Sequence, residues 1–445
     1  MLSIYMKIFK FYNIFKDFKG IDRFFSILIF LIPSALITGP FLGDFFIVVL
    51  SFGFFYKAFK LNLKKFLLNK YFFYFILFWL YISIRSFWTD NLFFSLKASL
   101  PYIRFFIFSL LMLYLFEEYK EKFIYLLLFS LTIAIVFVFF DTLYQYLFYK
   151  DIFGYPRLEH RLSGPFGDEL IVGAYLARLS PLFIICYYII YKKIPLRVLY
   201  LFSMISPLIF LTGERTSFFL FNFFLFFLII ATVEKNKLKI FFLIFSSIVV
   251  LLFFSLIFNN KLRDRMIHIP ACEMRINFLM TDECKKSFEK INEIENHKKT
   301  EKYFIFSEAH EGHYKTALNI FLDNKFFGVG VKMFRIKCSD PKYYYKHGCT
   351  THPHNIVMQI LAETGLIGFS FLIIAITYVY IKAFKIGVLI LRDEVKSSHI
   401  IQFLLLVMMA QSFIFFLPSG QFFNNWNAVI IYFPLGIYLK YVYKN

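Results

Sequence analysis

FIYLLLFSLTIAIVFVFFDTLYQYL, residues 123–147, contains one acidic residue, Asp141, and no basic residue. A helix crossing the hydrocarbon core of a bilayer needs about 20 predominantly apolar residues, and this stretch is long enough. Outward from it the pattern repeats. Candidate spans lie near 24–38, 41–56, 71–88, 98–116, 123–147, 168–190, 196–212, 215–233, 240–258, 355–381, 400–417 and 425–441. Across the 445 residues 59% are hydrophobic and 23% aromatic, against about 45–50% apolar in a typical soluble domain. That excess excludes a soluble globular enzyme and a disordered chain. The expected fold class is an all-α polytopic membrane protein of about 12 transmembrane helices. Residues 1–258 carry helices 1–9, 259–354 form a large loop domain, and 355–445 carry helices 10–12.

Lys and Arg in short loops set membrane orientation. On the twelve-span reading, the ends holding both termini carry 24 Lys/Arg, and the opposite short loops carry 6: Arg85, Lys97, Lys150, Arg157, Arg161 and Arg215. Both termini are therefore expected in the cytoplasm. The N-terminal lysines precede a span without a small-residue cleavage site, so no cleavable signal peptide is expected. The net charge of +20 follows from this topology, and no nucleic-acid partner is expected. The 259–354 segment mixes 17 Lys/Arg with 12 Asp/Glu; long loops translocate largely regardless of charge. Within it, 305–323 reads as an amphipathic helix suited to a membrane surface, followed by a turn at NKFFGVG, 324–330. The GVG there is a weak phosphate-loop signal and reads better as a plain turn.

Cys186 lies inside a span; Cys272, Cys284, Cys338 and Cys349 all fall in the outer loop. An even number in an oxidising compartment suggests disulfides, with Cys272–Cys284 and Cys338–Cys349 the first choice among three pairings.

Three polar constellations share the outer face. TGERTSF, 212–218, places Arg215 where a helix begins, and a guanidinium beside free backbone N–H groups suits a phosphate. The plainer reading is an interfacial Arg paired with Glu214. RLSGPFGDELIVGAYLARLSP, 161–181, places Arg161 outside the membrane and Arg178 inside a span. An intramembrane Arg must find a partner or water, so both line a cavity for a polyanionic headgroup or Arg178 pairs with a neighbouring carboxylate. CTTHPHNIVMQILAETGLIGF, 349–369, places His354 and Asn355 at a helix mouth and Glu363 within the membrane. A neutral imidazole there accepts a proton from a hydroxyl; the alternative is ordinary hydrogen bonding. Cys349, His352 and His354, with His310, His313 and His347, also offer zinc-ligand chemistry, although the spacing matches no standard site.

The twelve-span layout, the outer loop before span ten, TGERTSF, RLSGPFG and HPHNIVMQILAETGLIGF together resemble the O-antigen ligase superfamily, most clearly over 155–370. The resemblance implies a metal-independent, inverting glycosyltransferase without cofactor in the bacterial inner membrane. Its donor is a glycan on undecaprenyl diphosphate at the periplasmic face. A ligase passes the glycan to a sugar of the lipid A core, and a polymerase passes it to another carrier-linked unit. By motif, Arg215 corresponds to the family's essential arginine and His354 to its essential loop-end histidine. HEGHYKTALNIFLDNKFFGVG, 310–330, resembles an outer-loop segment that usually has an Arg and then a Trp; here His310 and Tyr314 hold those places. That departure leaves the second phosphate ligand open among His310, His313 and a loop Arg such as Arg275. The expected substrate-binding set is Arg161, Arg178, His310, His313, Tyr314, Asn355 and Glu363, with no metal. The sequence shows none of the extra acceptor-binding features expected of a protein O-oligosaccharyltransferase. A transporter or lipid flippase matches the span count, but no two-half repeat is present.

Overall fold

The computed structural model describes residues 14–442 apart from 68, 159–160, 234–248, 250–256, 258, 275, 277–278, 283, 285–306, 393 and 416. The 240–258 span, but for residues 249 and 257, and Arg275 thus lie outside the described residues.

All regular elements among the described residues are helical, with two isolated bridges, Lys150–Pro156 and Leu158–Arg161. We label the principal helices α1 (Ile21–Ala35), α2 (Pro40–Lys60), α3 (Lys70–Arg85), α4 (Leu92–Ser99), α5 (Ile103–Tyr119), α6 (Glu121–Phe148) and α7 (Val172–Tyr191). They continue as α8 (Leu196–Ser203), α9 (Ile205–Leu211), α10 (Arg215–Thr232), α11 (Glu308–Asp323), α12 (Ile356–Leu391), α13 (Ser397–Ala410) and α14 (Asn425–Val442).

Seven helical stretches among the described residues are long and apolar enough to cross a membrane: α2, α3 with its extension to Trp88, α4–α5 as one unit (Leu92–Tyr119), α6, α7, α10 and α12. The expected count of twelve is not confirmed: the 240–258 candidate lies largely outside the described residues, and four others fall short for definable reasons. The 24–38 candidate is the 15-residue α1. The 196–212 candidate breaks into α8 and α9 at Met204. The 400–417 candidate is the short apolar α13. The 425–441 candidate, α14, is diluted by Asn425, Asn427, Lys440 and Pro434.

The helices expose bulky apolar side chains outward: Phe41, Phe52, Phe59, Phe93 and Phe384 are each more than 70% exposed. In water such a surface would be costly, at roughly 25 cal/mol per Å²; against lipid tails it is not. Inside, one continuous apolar core runs from α1 to α14. Polar ties close the ends of the bundle. Asp22 of α1 pairs with Lys57 of α2 and accepts from Tyr114 of α5 (2.9 Å) and Tyr119 (2.9 Å). At the opposite ends Arg104 of α5 bonds Asp44 of α2 (2.7 Å) and Asn425 of α14 (3.1 Å).

The feature that shapes the end of the bundle next to the 259–354 segment is a break in α12. Asn355 caps it, its Oδ1 accepting from Met358 N–H (3.1 Å). At Gly365 the backbone turns out of helical geometry (φ 63°, ψ −167°). A break inside an apolar helix strands backbone groups, which must be satisfied by protein. The 325–330 turn does this: Val329 N–H donates to Ala362 O (3.0 Å), Gly330 N–H to Glu363 O (2.7 Å), and Leu366 N–H to Lys325 O (2.7 Å). Arg85 of α3 in turn donates to Phe327 O (3.1 Å) and Gly328 O (2.6 Å). The GVG segment is therefore a turn seated in a helix break. A Cβ on Gly365 would stand 2.4 Å from the Phe326 carbonyl, at a φ only glycine adopts freely. Backbone strain of this kind costs about 1–3 kcal/mol before any clash. Gly365→Ala is expected to lower the thermal midpoint of detergent-purified protein; an unchanged midpoint would refute this account.

Candidate functional site

The outer loop is tied down by two disulfides, Cys272–Cys284 and Cys338–Cys349, the pairing expected from the sequence. Cys349 is thereby withdrawn from the conceivable zinc set, and among the described residues no three His, Cys, Asp or Glu side chains are grouped to hold one ion. Helix α11 begins at Ser307, whose Oγ accepts from His310 N–H (3.3 Å). Part of its apolar face packs inward, while Leu318 and Leu322 remain exposed. Ala317 and Ile320 enter a small second core with Val329, Met333, Phe334, Cys338, Tyr343 and Ala362. Thr316 Oγ1 accepts from Tyr345 N–H (3.0 Å), and Asn319 donates to Tyr343 O (3.1 Å). This packing turns His310, His313 and Tyr314 toward the start of α12.

There they meet His352 and His354. Ring centroids lie 5.5 Å apart for His310–His354, 5.2 Å for the stacked pair His313–His354 and 4.1 Å for His352–His354. Tyr314 stands 6.5 Å from His310 and shares a side-chain hydrogen bond with Asn355. Burial depresses every one of these imidazoles, and neighbouring imidazoles add to it: His310 and His313 fall to about 4 and His352 to about 3, while burial also lowers His354. All four are neutral at pH 7, which leaves His354 free to accept a proton. The Nδ1 of His313 and the Nε2 of His352 are buried with no hydrogen-bond partner among the described residues.

Because these imidazoles resist protonation in the fold, the unfolded chain takes up protons first as pH falls below the ordinary histidine value of 6.5. Their contribution to stability is complete above that pH and is lost between 6.5 and about 3. The thermal midpoint is thus expected to drop across this window, and to drop less in a His310→Asn/His352→Asn double variant. Equal drops in the two proteins would show that the cluster is not the cause.

Beside the histidines lie three arginines. Arg215 opens α10, and its Nη1 is 3.5 Å from Glu273 Oε2. Arg265, on the short segment Asp264–His268, donates Nε–H to Gly213 O (3.4 Å). Arg161 donates Nη2–H to Leu170 O (3.0 Å), and its Nε is buried without a partner among the described residues. Burial lowers the proton affinity of Arg161 and Arg265; Glu214 opposes this at Arg161 more than Arg215 adds to it, and at Arg265 the repulsion of Arg215 and Arg161 is partly offset by Glu273 and Glu214. Arg215 and Arg265 also repel a proton from His310, so the arginine and histidine groups adjoin. Arg161 further lines a small pocket with Arg157 and Lys261 and no carboxylate. Three arginines thus share two carboxylates, Glu214 and Glu273, an excess of positive charge at this point of the structure.

Glu214 is not the partner of Arg215. Its carboxylate caps α7 by accepting from Gly173 N–H (2.7 Å), Ala174 N–H (3.0 Å) and Ser217 Oγ (2.9 Å). Gly173 permits that approach, since a Cβ there would stand 2.9 Å from the Glu214 carboxyl carbon.

Three of the expected substrate-binding residues do other work in the structure. Glu363 is fully buried; its Oε1 accepts from Phe334 N–H (3.3 Å) and its Oε2 from Gln359 (3.0 Å). It fastens the outer segment to α12 and does not join the cluster. Arg178 is buried and reaches Asn427 Oδ1 (3.3 Å), a neutral partner on α14. Asn355 caps α12 and donates to Phe415 O (2.8 Å) and Leu417 O (3.2 Å), beside its contact with Tyr314. The sequence reading missed Arg265 and Glu273, which carry no motif and reach Arg215 through the fold of the Cys272–Cys284 loop.

A comparison with curated proteins finds no match. The O-antigen ligase family model matches residues 199–373, the segment running from α8 through Arg215, Arg265, the histidine cluster and the break in α12. With the apolar helices this indicates a membrane protein, and the match supports the chain's membership of the O-antigen ligase superfamily.

Proposed function

We propose that this protein is an O-antigen ligase-type inverting glycosyltransferase of the bacterial inner membrane, moving a glycan from undecaprenyl diphosphate to a sugar of the lipid A core. The observation that carries the reading is that His354 packs against His310, with ring centroids 5.5 Å apart, and that Arg215 and Arg265 lie close enough to His310 to repel a proton from it. His354 supplies a base and the arginines a site for a departing diphosphate.

In the proposed step the acceptor hydroxyl oxygen bonds to the anomeric carbon from the face opposite the carrier. The bond from that carbon to the phosphate oxygen breaks, and its electron pair leaves with the diphosphate. The hydroxyl proton passes to His354. Negative charge builds on the leaving oxygen in the transition state, and prepositioned cations stabilise it there more than in the ground state. Arg215, Arg161 and Arg265 supply that charge without a metal. His310 and His313, neutral and next to His354, flank the acceptor. On this reading both termini are cytoplasmic and the site is periplasmic.

A polymerase performs the same chemistry with a carrier-linked repeat as acceptor, so the deciding experiment uses two hosts. In a strain lacking its own O-antigen ligase, the expected result is full-length glycan on the lipid A core in the lipopolysaccharide banding pattern. Longer chains in a strain lacking its polymerase, without ligation in the first, would assign polymerisation instead.

A further inference from the structure

His354 holds a left-handed backbone (φ 50°), a conformation disfavoured for any residue with a Cβ. Strained backbone persists only where its surroundings over-determine it, and it clusters where geometry matters for chemistry. Here the surroundings are the connection between α13 and α14, beyond the family match. Ser419 grips the turn on both sides of His354. Its N–H donates to His354 O (2.7 Å), and its Oγ accepts from Ile356 N–H (2.9 Å), the first N–H of α12. Asn355 binds the same connection through Phe415 O and Leu417 O.

That connection is itself anchored. Phe422 N–H donates to Gln359 Oε1 (2.8 Å), and Asn427 Nδ2 donates to Gln421 O (3.1 Å). Asn427 Oδ1 receives the Arg178 guanidinium (3.3 Å). A chain of hydrogen bonds therefore runs from the buried Arg178 through Asn427 to the loop that holds the histidine. This gives an arginine inside a span a hydrogen-bonded partner.

We infer that Ser419 is a positioning residue for His354, its hydroxyl and N–H together fixing the imidazole's angle to the acceptor hydroxyl. This rests on the proposed role of His354 as the base. Without the Oγ, Ile356 N–H loses its partner and the 354–356 turn can relax toward right-handed backbone. The imidazole then swings off the line of proton transfer. Ser419 itself touches no part of the proposed diphosphate site, so donor binding is unaffected.

The test compares Ser419→Ala, Ser419→Val, Ser419→Thr and His354→Ala. Purified full-length proteins would be assayed with polyprenyl-diphosphate-linked glycan and lipid acceptor extracted from the source membranes. Displacements of an ångström cost up to about a hundredfold in rate. Ser419→Ala and Ser419→Val are expected to lose roughly ten- to a hundredfold in kcat with donor KM unchanged. Ser419→Thr, which keeps the acceptor oxygen in nearly the shape of Val, retains most of the rate. Wild-type kcat in the Ala and Val variants, or Thr as slow as Val, would overturn the inference. So would loss of folded protein in both Ala and Val variants with Thr intact, which assigns the hydroxyl to folding. If His354→Ala stays active the functional reading itself falls; if it is inactive while Ser419→Ala is normal, only the positioning role falls.

Discussion

His354→Ala is expected to abolish glycan transfer while leaving the protein inserted and folded. A positioned general base contributes roughly 10²–10⁴-fold to such a step, and nothing in the cluster replaces it. His352 lies 4.1 Å away, ring to ring, but its Nδ1 is engaged by the Thr351 hydroxyl (3.0 Å) and burial with its neighbours presses it to about 3. Such a weakly basic imidazole is a poor acceptor of a hydroxyl proton. His310 is similarly committed, its Nδ1 bonded to Ser307 Oγ (2.5 Å). His354→Gln, which keeps a hydrogen-bond acceptor and loses the base, separates orientation from proton transfer: a residual rate above that of Ala measures orientation alone. The assay is initial transfer rate at saturating donor, normalised to folded protein by size-exclusion profile. Activity within threefold of wild type in the Ala variant would remove His354 from the chemistry.

The parts of this site that were legible in the sequence are those encoded locally. A helix mouth with Pro and His, a tight turn with Arg before an apolar run, and cysteines at short spacing each leave a pattern within about twenty residues. The disulfides pair as that spacing suggested, and Arg215 and His354 come to neighbouring groups. What stayed hidden depends on contacts between distant segments. The helix break at Gly365 leaves no pattern of its own and is seen only when the 325–330 turn bonds its stranded groups. Glu363 reads as an intramembrane functional carboxylate, because an unpaired one would be costly. Its partners are a backbone N–H and a glutamine, which no charge pattern announces. Arg265 and Ser419 lie in unremarkable sequence and matter only through where the fold carries them. The span count is left unconfirmed in part for a related reason. Hydropathy sees apolar composition but not the breaks at Met204 and the shortness of α1 and α13, which packing against longer neighbours tolerates.

Arg215→Ala is expected to cost at least 10²–10³-fold in kcat, the usual consequence of removing one preorganised charge donor from a transition state. Its guanidinium is about one-third exposed and only loosely held by Glu273, at 3.5 Å. A contact of that length leaves the planar fork available to a phosphate, which binds it through two parallel N–H bonds. Arg265 and Arg161 face the same charge, so the loss is not that of a lone cation, and the variants should not be additive. Arg215→Ala/Arg265→Ala is expected to fall short of the product of the single effects, because both stabilise one leaving group. Arg215→Lys tests the fork directly: it restores the charge but not the bidentate geometry, and should recover only part of the rate. Glu273→Gln removes the sole carboxylate paired with Arg215 among the described residues. If that carboxylate competes with the diphosphate, donor KM falls in this variant; if it only orients the guanidinium, kcat falls instead. Wild-type rates in Arg215→Ala would leave the arginine group without a role in departure of the carrier, and the proposed mechanism would lose its electrophilic half.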